Sequence, residues 1–269
     1  MSDQSRKDGC CIVITGAGGG LGSALALEYA APQTHLVLWG RNAARLEETG
    51  EICRERGASV RTLSQDIRAL AEVRERLAEL DAECRIDLAF LNAGVSSGAL
   101  PDGAPEPVED ACRTMEVNAL GNINMAAFLA LLMRGRGGRI VCVSSLAALY
   151  PLPDSPAYCA SKSALAVYAR ALRAAYVGTS VRIGIVYPGY VDSPMSRRLL
   201  GPQPLRMSAG AAASLIRARL EDGADDITFP FLPALGVRCL NLLPAPAASF
   251  FARRFGFKVR PDDESPARA

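Results

Sequence analysis

The sequence predicts an α/β fold, doubly wound around a mostly parallel sheet, in a single domain. Two observations carry that prediction. Short continuous apolar runs such as "CCIVIT", "HLVLWG" and "GRIVCV" alternate with segments of helical length, and strands apolar on both sides need cover on both faces. The alternation holds from residue 10 to about 230, a length that one α/β domain accommodates.

From the N-terminus, "CCIVIT" (10–15) is a buried strand, followed by a glycine-rich turn and a helix through "LGSALALEYA" (21–30). "HLVLWG" (35–40) is the second strand and "NAARLEETGEICRERG" (42–57) the second helix, with Gly57 placed to stop it. A third strand lies in "ASVRTLSQD" (58–66), a third helix in "RALAEVRERLAELDA" (68–82) and a fourth strand in "IDLAFLNAG" (86–94). After a Pro/Gly-rich loop (98–107), one long helix is expected to about Met133. Strand 138–145, a helix over about 155–177, strand 181–189, a helix over about 208–222 and a short strand at 227–230 complete the pattern. Residues 1–9 read as a disordered lead-in, 10–230 as the folded domain, 231–260 as an apolar and basic extension and 261–269 as a disordered tail.

Hydrophobic residues make up 49% and charged residues 22%, with net charge +2, which suits a globular core and argues against a nucleic-acid partner. The start lacks the apolar core of a signal peptide, and no uninterrupted apolar run of about 18 residues suggests a spanning helix. Eight cysteines show no C-x-x-C spacing, so reduced, mostly buried thiols of a cytoplasmic protein are expected. With one histidine, His35 on the second strand, no metal site is expected, and no G-x-S-x-G elbow supports a hydrolase.

Chemistry first becomes legible at "ITGAGGGLG", which follows a buried strand and opens a helix. Gly16, Gly20 and Gly22 leave room for a tight turn, for backbone approach to a pyrophosphate and for close packing of helix on strand, as in a Rossmann-like dinucleotide site. Gly18 and Gly19 add conformational freedom. At the end of the second strand, where an NAD site places an acid, the chain has Gly40 and Arg41. A guanidinium there suits a 2′-phosphate and favours NADP over NAD, the alternative being a solvated arginine in a capping loop. Asp66 could accept from an adenine amino group or cap a helix.

Of 30 basic residues only Lys7, Lys162 and Lys258 are lysines, and Lys162 stands four residues after Tyr158 on one helix. A cation beside a phenol is expected to draw its pKa from about 10 toward neutrality, making the tyrosine usable as acid or base. Seven tyrosines and three lysines give only roughly 0.08 chance pairs at this spacing.

Taken together, T-G-x-x-x-G-x-G (Thr15 to Gly22), N-A-G (Asn92 to Gly94), Ser145 and Y-x-x-x-K resemble the short-chain dehydrogenase/reductases. The 13-residue interval from Ser145 to Tyr158 matches that family, and the resemblance runs from about Ile12 to Phe229. It implies Tyr158 as general acid or base, Ser145 as the hydrogen-bond partner of the substrate oxygen in preference to Ser144, and Lys162 on the nicotinamide ribose. It also implies Asn118 as holder of a water that links the lysine to solvent. Cofactor contacts are implied for Thr15, Gly16, Gly18, Gly20, Leu21 and Gly22 at the turn, and for Arg41, Asp66 and Ile67 beyond it. Asn92, Ala93 and Gly94 would line the pocket floor, with Gly94 beside the adenine ribose. "YPGYVDSPM" (187–195) is similar to the family's P-G-x-V-x-T-x-M segment, with Ser193 in place of threonine, so Pro188, Gly189, Val191 and Ser193 are expected over the nicotinamide and pyrophosphate.

The expected activity is that of an NADP(H)-preferring oxidoreductase interconverting a carbonyl and a secondary alcohol. A non-catalytic dinucleotide sensor or scaffold, and a reductase in cell-surface polysaccharide or lipid metabolism, stay open as alternatives. The cleft loops, within 94–103, 146–156 and 193–207, are largely apolar and suit an apolar or bulky small molecule. Arg197, Arg198 and Arg206 would meet an anionic group or solvent. By the family's habit the chain forms dimers or tetramers. Residues 227–260 hold five cations and no acid among leucines and phenylalanines. That composition fits a segment on the inner face of a membrane, or a tail packed over the cleft or a subunit interface, with Pro233, Pro244 and Pro246 breaking it into short pieces.

Overall fold

The protein is described by a computed structural model at residues 9–244, 247 and 258–260. All but Gly9 of the predicted lead-in, and all of the predicted tail at 261–269, lie outside the described residues. The elements follow the apolar runs. They are β1 (Cys10–Thr15), α1 (Gly20–Tyr29), β2 (Thr34–Gly40), α2 (Ala43–Glu55), β3 (Ser59–Ser64), α3 (Leu70–Cys84) and β4 (Ile86–Leu91). Then come α4 (Val108–Met115), α5 (Asn122–Met133), β5 (Gly138–Val143), α6 (Pro156–Ala175), β6 (Val181–Pro188), β7 (Leu199–Leu200), α7 (Ala209–Glu221), β8 (Asp226–Phe229), α8 (Phe231–Leu240) and β9 (Lys258–Val259).

Seven strands form one parallel sheet in the order β3-β2-β1-β4-β5-β6-β8. Strand order reverses between β1 and β4, the place where parallel sheets of this kind open a crevice at their C-terminal ends. Because residues of one strand alternate between faces, β1 feeds two cores: Cys11 and Val13 point to one side, Ile12 and Ile14 to the other. The first core packs α3, α5 and α6 through Leu77, Leu129 and Leu165; the second packs α1, α2 and α7 through Leu25, Leu46 and Ile216. Boundary chemistry is local. Asn42 accepts from Arg45 N at the start of α2, Ser208 accepts from Ala211 N at the start of α7, and Gly57 takes φ +90° past the end of α2.

Three features depart from the sequence reading. The long helix to Met133 is not uniform: between α4 and α5, Glu116–Gly121 widens into a π-helical turn that carries Asn118 fully inside. This composite helix, Val108–Met133, is long and apolar enough on average to cross a membrane, yet Met125, Ala126, Leu129 and Met133 are buried in the first core. Pro233 does not break the extension. It stands in the first turn of α8, where its missing N–H has no helical partner to lose. Finally, Leu199–Leu200 pairs antiparallel with Lys258–Val259, and Val259 N donates to Ala99 O at 2.9 Å, tying the loops around the cleft to the end of the chain.

Candidate active site

A cleft of about 970 Å³ runs along the C-terminal ends of the strands, from the β1–α1 turn to α6 and α8. Gly16 and Gly20 adopt φ +68° and +56°, and a side chain on Gly16 would meet Asn92 Nδ2 at 2.9 Å. No side chain caps α1, and Gly20 and Leu21 of its first turn line the cleft beside Gly18 and Gly19. That is a cradle fitted to a pyrophosphate. Gly18, Gly19, Gly20 and Leu21 line it, while Ser193 and Pro194 lie across it from the opposite wall.

Two residues of the turn fall behind it. Thr15 is fully buried and does not line the cleft; its Oγ1 accepts from Asn92 N and Ala93 N at 2.9 Å each and donates to Phe90 O at 3.3 Å. The expected cofactor contact is therefore corrected to a cross-strand clamp holding β4 against β1. Gly22 is also outside the lining. A Cβ there would sit 2.1 Å from Gly16 O, so its role is the close helix packing, without contact to a ligand.

At the far end of the cleft lie Gly40, Arg41, Asn42, Gln65, Asp66 and Ile67. Sequence reading missed Arg45, in the first turn of α2, whose Cβ would be 3.2 Å from a side chain on Gly18. Its signal was a second guanidinium in the helix start that follows Arg41. Burial disfavours ionisation of Asp66, but hydrogen bonds from Arg68 and the charges of Arg68 and Arg41 outweigh it and hold the carboxyl below its ordinary range. Both carboxylate oxygens accept from Arg68, at 2.8 to 3.0 Å, in a local turn ahead of α3, whose N-cap is Ala69 and carries no side-chain cap, so Asp66 caps no helix.

Ser145, Tyr158 and Lys162 converge at the other end of the cleft. Ser145 follows β5, its Oγ accepts from Ala147 N at 3.1 Å, and its hydroxyl lies near enough to Tyr158 to favour the phenolate. Ser144, by contrast, is buried and donates to Lys162 O at 2.9 Å. Lys162 Nζ donates to Val143 O at 2.9 Å and lies 5.9 Å from the centre of the Tyr158 ring. The expected drop in the tyrosine pKa is not found. Burial pushes the phenol up to about 12, against a smaller lowering by Ser145, and burial drives the Lys162 ammonium down to about 8. Although Tyr158 is only partly covered and lines the cleft, losing water costs the phenolate more than the Ser145 hydroxyl restores.

Asn118 is held by its own side chain. Its Oδ1 accepts from Val95 N at 2.8 Å, and its Nδ2 donates to Val95 O and Ser161 Oγ at 2.9 and 3.1 Å, so the side chain clamps β4's exit loop to α6 and does not line the cleft. Gly94 lines the cleft, yet its missing side chain makes room for Asn118 Oδ1 and Lys162 Nζ, 3.2 and 3.4 Å from where a Cβ would stand, at the Lys162 end of the cleft. Asn92, Ala93, Pro188, Gly189 and Val191 line the cleft, and Gly189 N is fixed by Phe229 O at 2.7 Å. Tyr150 and Tyr190, missed in the sequence, add phenols to the wall; Tyr190 stood in view inside "YPGYVDS". Arg197 and Arg206 face Asp192, at 3.1 and 4.0 Å, and Arg198 donates to Ser96 O at 2.6 Å; none of the three lines the cleft. Among the described residues no cluster of three or more His, Cys, Asp or Glu is placed to hold a metal.

Comparison with known proteins bears on the same span. The family model described as short chain dehydrogenase matches residues 10–203. The chain belongs to the short-chain dehydrogenase/reductase family. Members of this family are NAD(P)-dependent enzymes acting on hydroxyl or carbonyl groups of small molecules. An uncharacterized oxidoreductase of Myxococcus xanthus is 31% identical over 244 residues, covering 90% of this chain and 96% of its own. Sepiapterin reductase of Chlorobaculum tepidum is 37% identical over 194 residues, covering 68% and 78%. Among solved structures, a short chain dehydrogenase/reductase from Burkholderia phymatum in complex with NAD superposes with TM-score 0.77 at 24% identity, over 87% of this chain and 94% of that one, and so shares the fold.

Proposed function

We propose that this chain is an NADP(H)-preferring oxidoreductase interconverting a carbonyl and a secondary alcohol, with Tyr158 as general acid and base. The observation that carries the reading is the meeting of Ser145, Tyr158 and Lys162 on one wall of the cleft whose other end is a glycine cradle flanked by Arg41 and Arg45.

Gly16, Gly18 to Leu21 and Ser193 would hold the pyrophosphate, Asn92 to Gly94 the floor, and Arg41 with Arg45 a 2′-phosphate. When bound, the nicotinamide supplies or takes up the hydride. The chain does the rest. Ser145 Oγ, itself oriented by Ala147 N, donates to the substrate oxygen; the Tyr158 hydroxyl, kept neutral by burial, gives its proton to that oxygen in reduction and recovers it in oxidation. Lys162 needs the compact reach of an amine, since its Nζ sits in a slot bounded by Val143 O and Gly94 that a planar guanidinium would overfill. The substrate end is walled by Leu146, Leu152, Leu199, Val237 and Leu240, with Tyr150 and Tyr190 as polar points, which suits an apolar or bulky substrate.

The deciding experiment is Tyr158→Phe, assayed on a panel of ketones and quinones. Turnover should fall by about 10² to 10⁴ while NADPH binding, followed by its fluorescence, is retained. Wild-type rates in that variant would leave Tyr158 without its role, and wild-type protein that binds NADPH yet reduces no carbonyl would favour the sensor reading.

A further inference from the structure

The helix α8 is apolar on two sides. One side, with Pro233, Gly236, Val237 and Leu240, lines the cleft. The other follows the spacing 231, 235, 238, 242 and presents Phe231, Leu235, Arg238 and, just past the helix, Leu242 to the outside. Phe231 is 73% exposed and Leu242 84%. A helix covering a soluble cleft needs a polar back, and this one has a single charge, Arg238. Three more apolar residues, Leu205, Leu232 and Leu243, are exposed while also lining the cleft, so exposed apolar surface reaches its mouth.

We propose that the outer face of α8 docks on an anionic lipid bilayer, and that the cleft draws its substrate from that bilayer. Ten residues of helix span about 15 Å, half of a hydrocarbon core, so α8 lies in the interface and does not cross it. Charge selects the occupant. The one charge on this face is the cation Arg238, and the stretch 227–260 contains no acid, which complements anionic headgroups. A second copy joined by a two-fold contact through the same face would bring Arg238 against its own counterpart. The substrate half of the proposal rests on the oxidoreductase reading: a ketone or alcohol dissolved in the bilayer passes Leu232 and Leu243 into the apolar end of the cleft without crossing water. The docking half stands independently.

The test is sedimentation of the full-length protein with NADPH, using vesicles of phosphatidylcholine alone and of equal parts phosphatidylcholine and phosphatidylglycerol. Binding is expected to the anionic vesicles, with release at high salt. The triple variant Phe231→Ser, Leu235→Ser, Leu242→Ser should bind at least about tenfold more weakly. Its NADPH affinity and its turnover of a water-soluble ketone should be unchanged, since none of these three side chains lines the cleft. Arg238→Glu should weaken binding to the anionic vesicles alone. Failure of the wild type to sediment with phosphatidylglycerol overturns the proposal, as does unaltered binding in both variants. A wild-type dimer that the triple variant splits, with no vesicle binding, assigns the face to a second copy instead. Vesicle binding without any carbonyl turnover keeps the docking surface and sinks the oxidoreductase reading.

Discussion

Lys162→Met tests the electrostatics of the site without any substrate. Lys162 is 4% exposed, and burial drives its ammonium from 10.5 to about 8. Between those values the unfolded chain holds a proton that the folded protein has released, so wild-type stability rises with pH across this window. The charged amine is a liability below pH 8 that fades toward 10.5. The Lys162→Met variant carries no such proton, and its unfolding free energy lacks this slope. Integrating the linkage, the difference between the two proteins should move in favour of wild type by about 2 kcal/mol from pH 7 to pH 9.5. The lost hydrogen bond to Val143 O offsets the curves by a nearly constant amount, because a neutral amine still donates. Cys142, a thiol that Lys162 influences, is pushed up to about 12 by burial and stays protonated across this window in both proteins, so the thiol contributions cancel. Tyr158, raised to about 12, acts only above pH 10, where stability falls as the unfolded chain alone deprotonates. Urea unfolding followed by the fluorescence of Trp39 gives the readout: it is the one tryptophan, fully buried, with Nε1 on Gln65 O at 3.1 Å. Parallel curves across that pH range would refute the argument, because they would mean that the folded protein keeps Lys162 charged at no cost.

Other perturbations separate cofactor contacts from the scaffold behind them. Arg41→Asp and Arg45→Asp should each weaken NADPH at least about tenfold more than NADH, by fluorescence titration, and equal effects would remove that arginine from the 2′-phosphate site. Thr15→Val strips two half-buried amides of their acceptor and should cost about 2 to 4 kcal/mol in urea unfolding, with NADPH affinity lost only in proportion to the folded fraction. Gly22→Ala forces a Cβ onto Gly16 O and should cost about 3 kcal/mol, read as a fall in melting temperature together with loss of NADPH binding. A variant that melts normally and binds NADPH would show that α1 can shift away from the turn.

Most of the frame could be read from the chain because it is written locally. Apolar runs such as Ile12–Ile14 and Ile183–Val186 mark strands buried on both faces, Asn42, Ser208 and Gly57 mark helix ends, and fixed intervals tie Ser145, Tyr158 and Lys162 together. Each of these depends on neighbours a few residues away, or on one motif interval, so the doubly wound sheet and the family of the site are legible from the chain alone.

The remainder belongs to contacts between distant segments. Whether Thr15 faces a ligand or a neighbouring strand depends on Asn92 and Ala93, more than seventy residues on. The π-turn that buries Asn118, the placing of Arg45 over Gly18, and the pairing of Leu199–Leu200 with Lys258–Val259 are likewise settled by remote partners. The sharpest case is Tyr158, for which the i, i+4 lysine pointed to a lowered pKa and the folded protein raises it. Adjacency along a helix fixes which charges are near, but the energy of a charge is governed by how much water the whole fold removes around it, and that sum runs over β5, β6 and the loops above them.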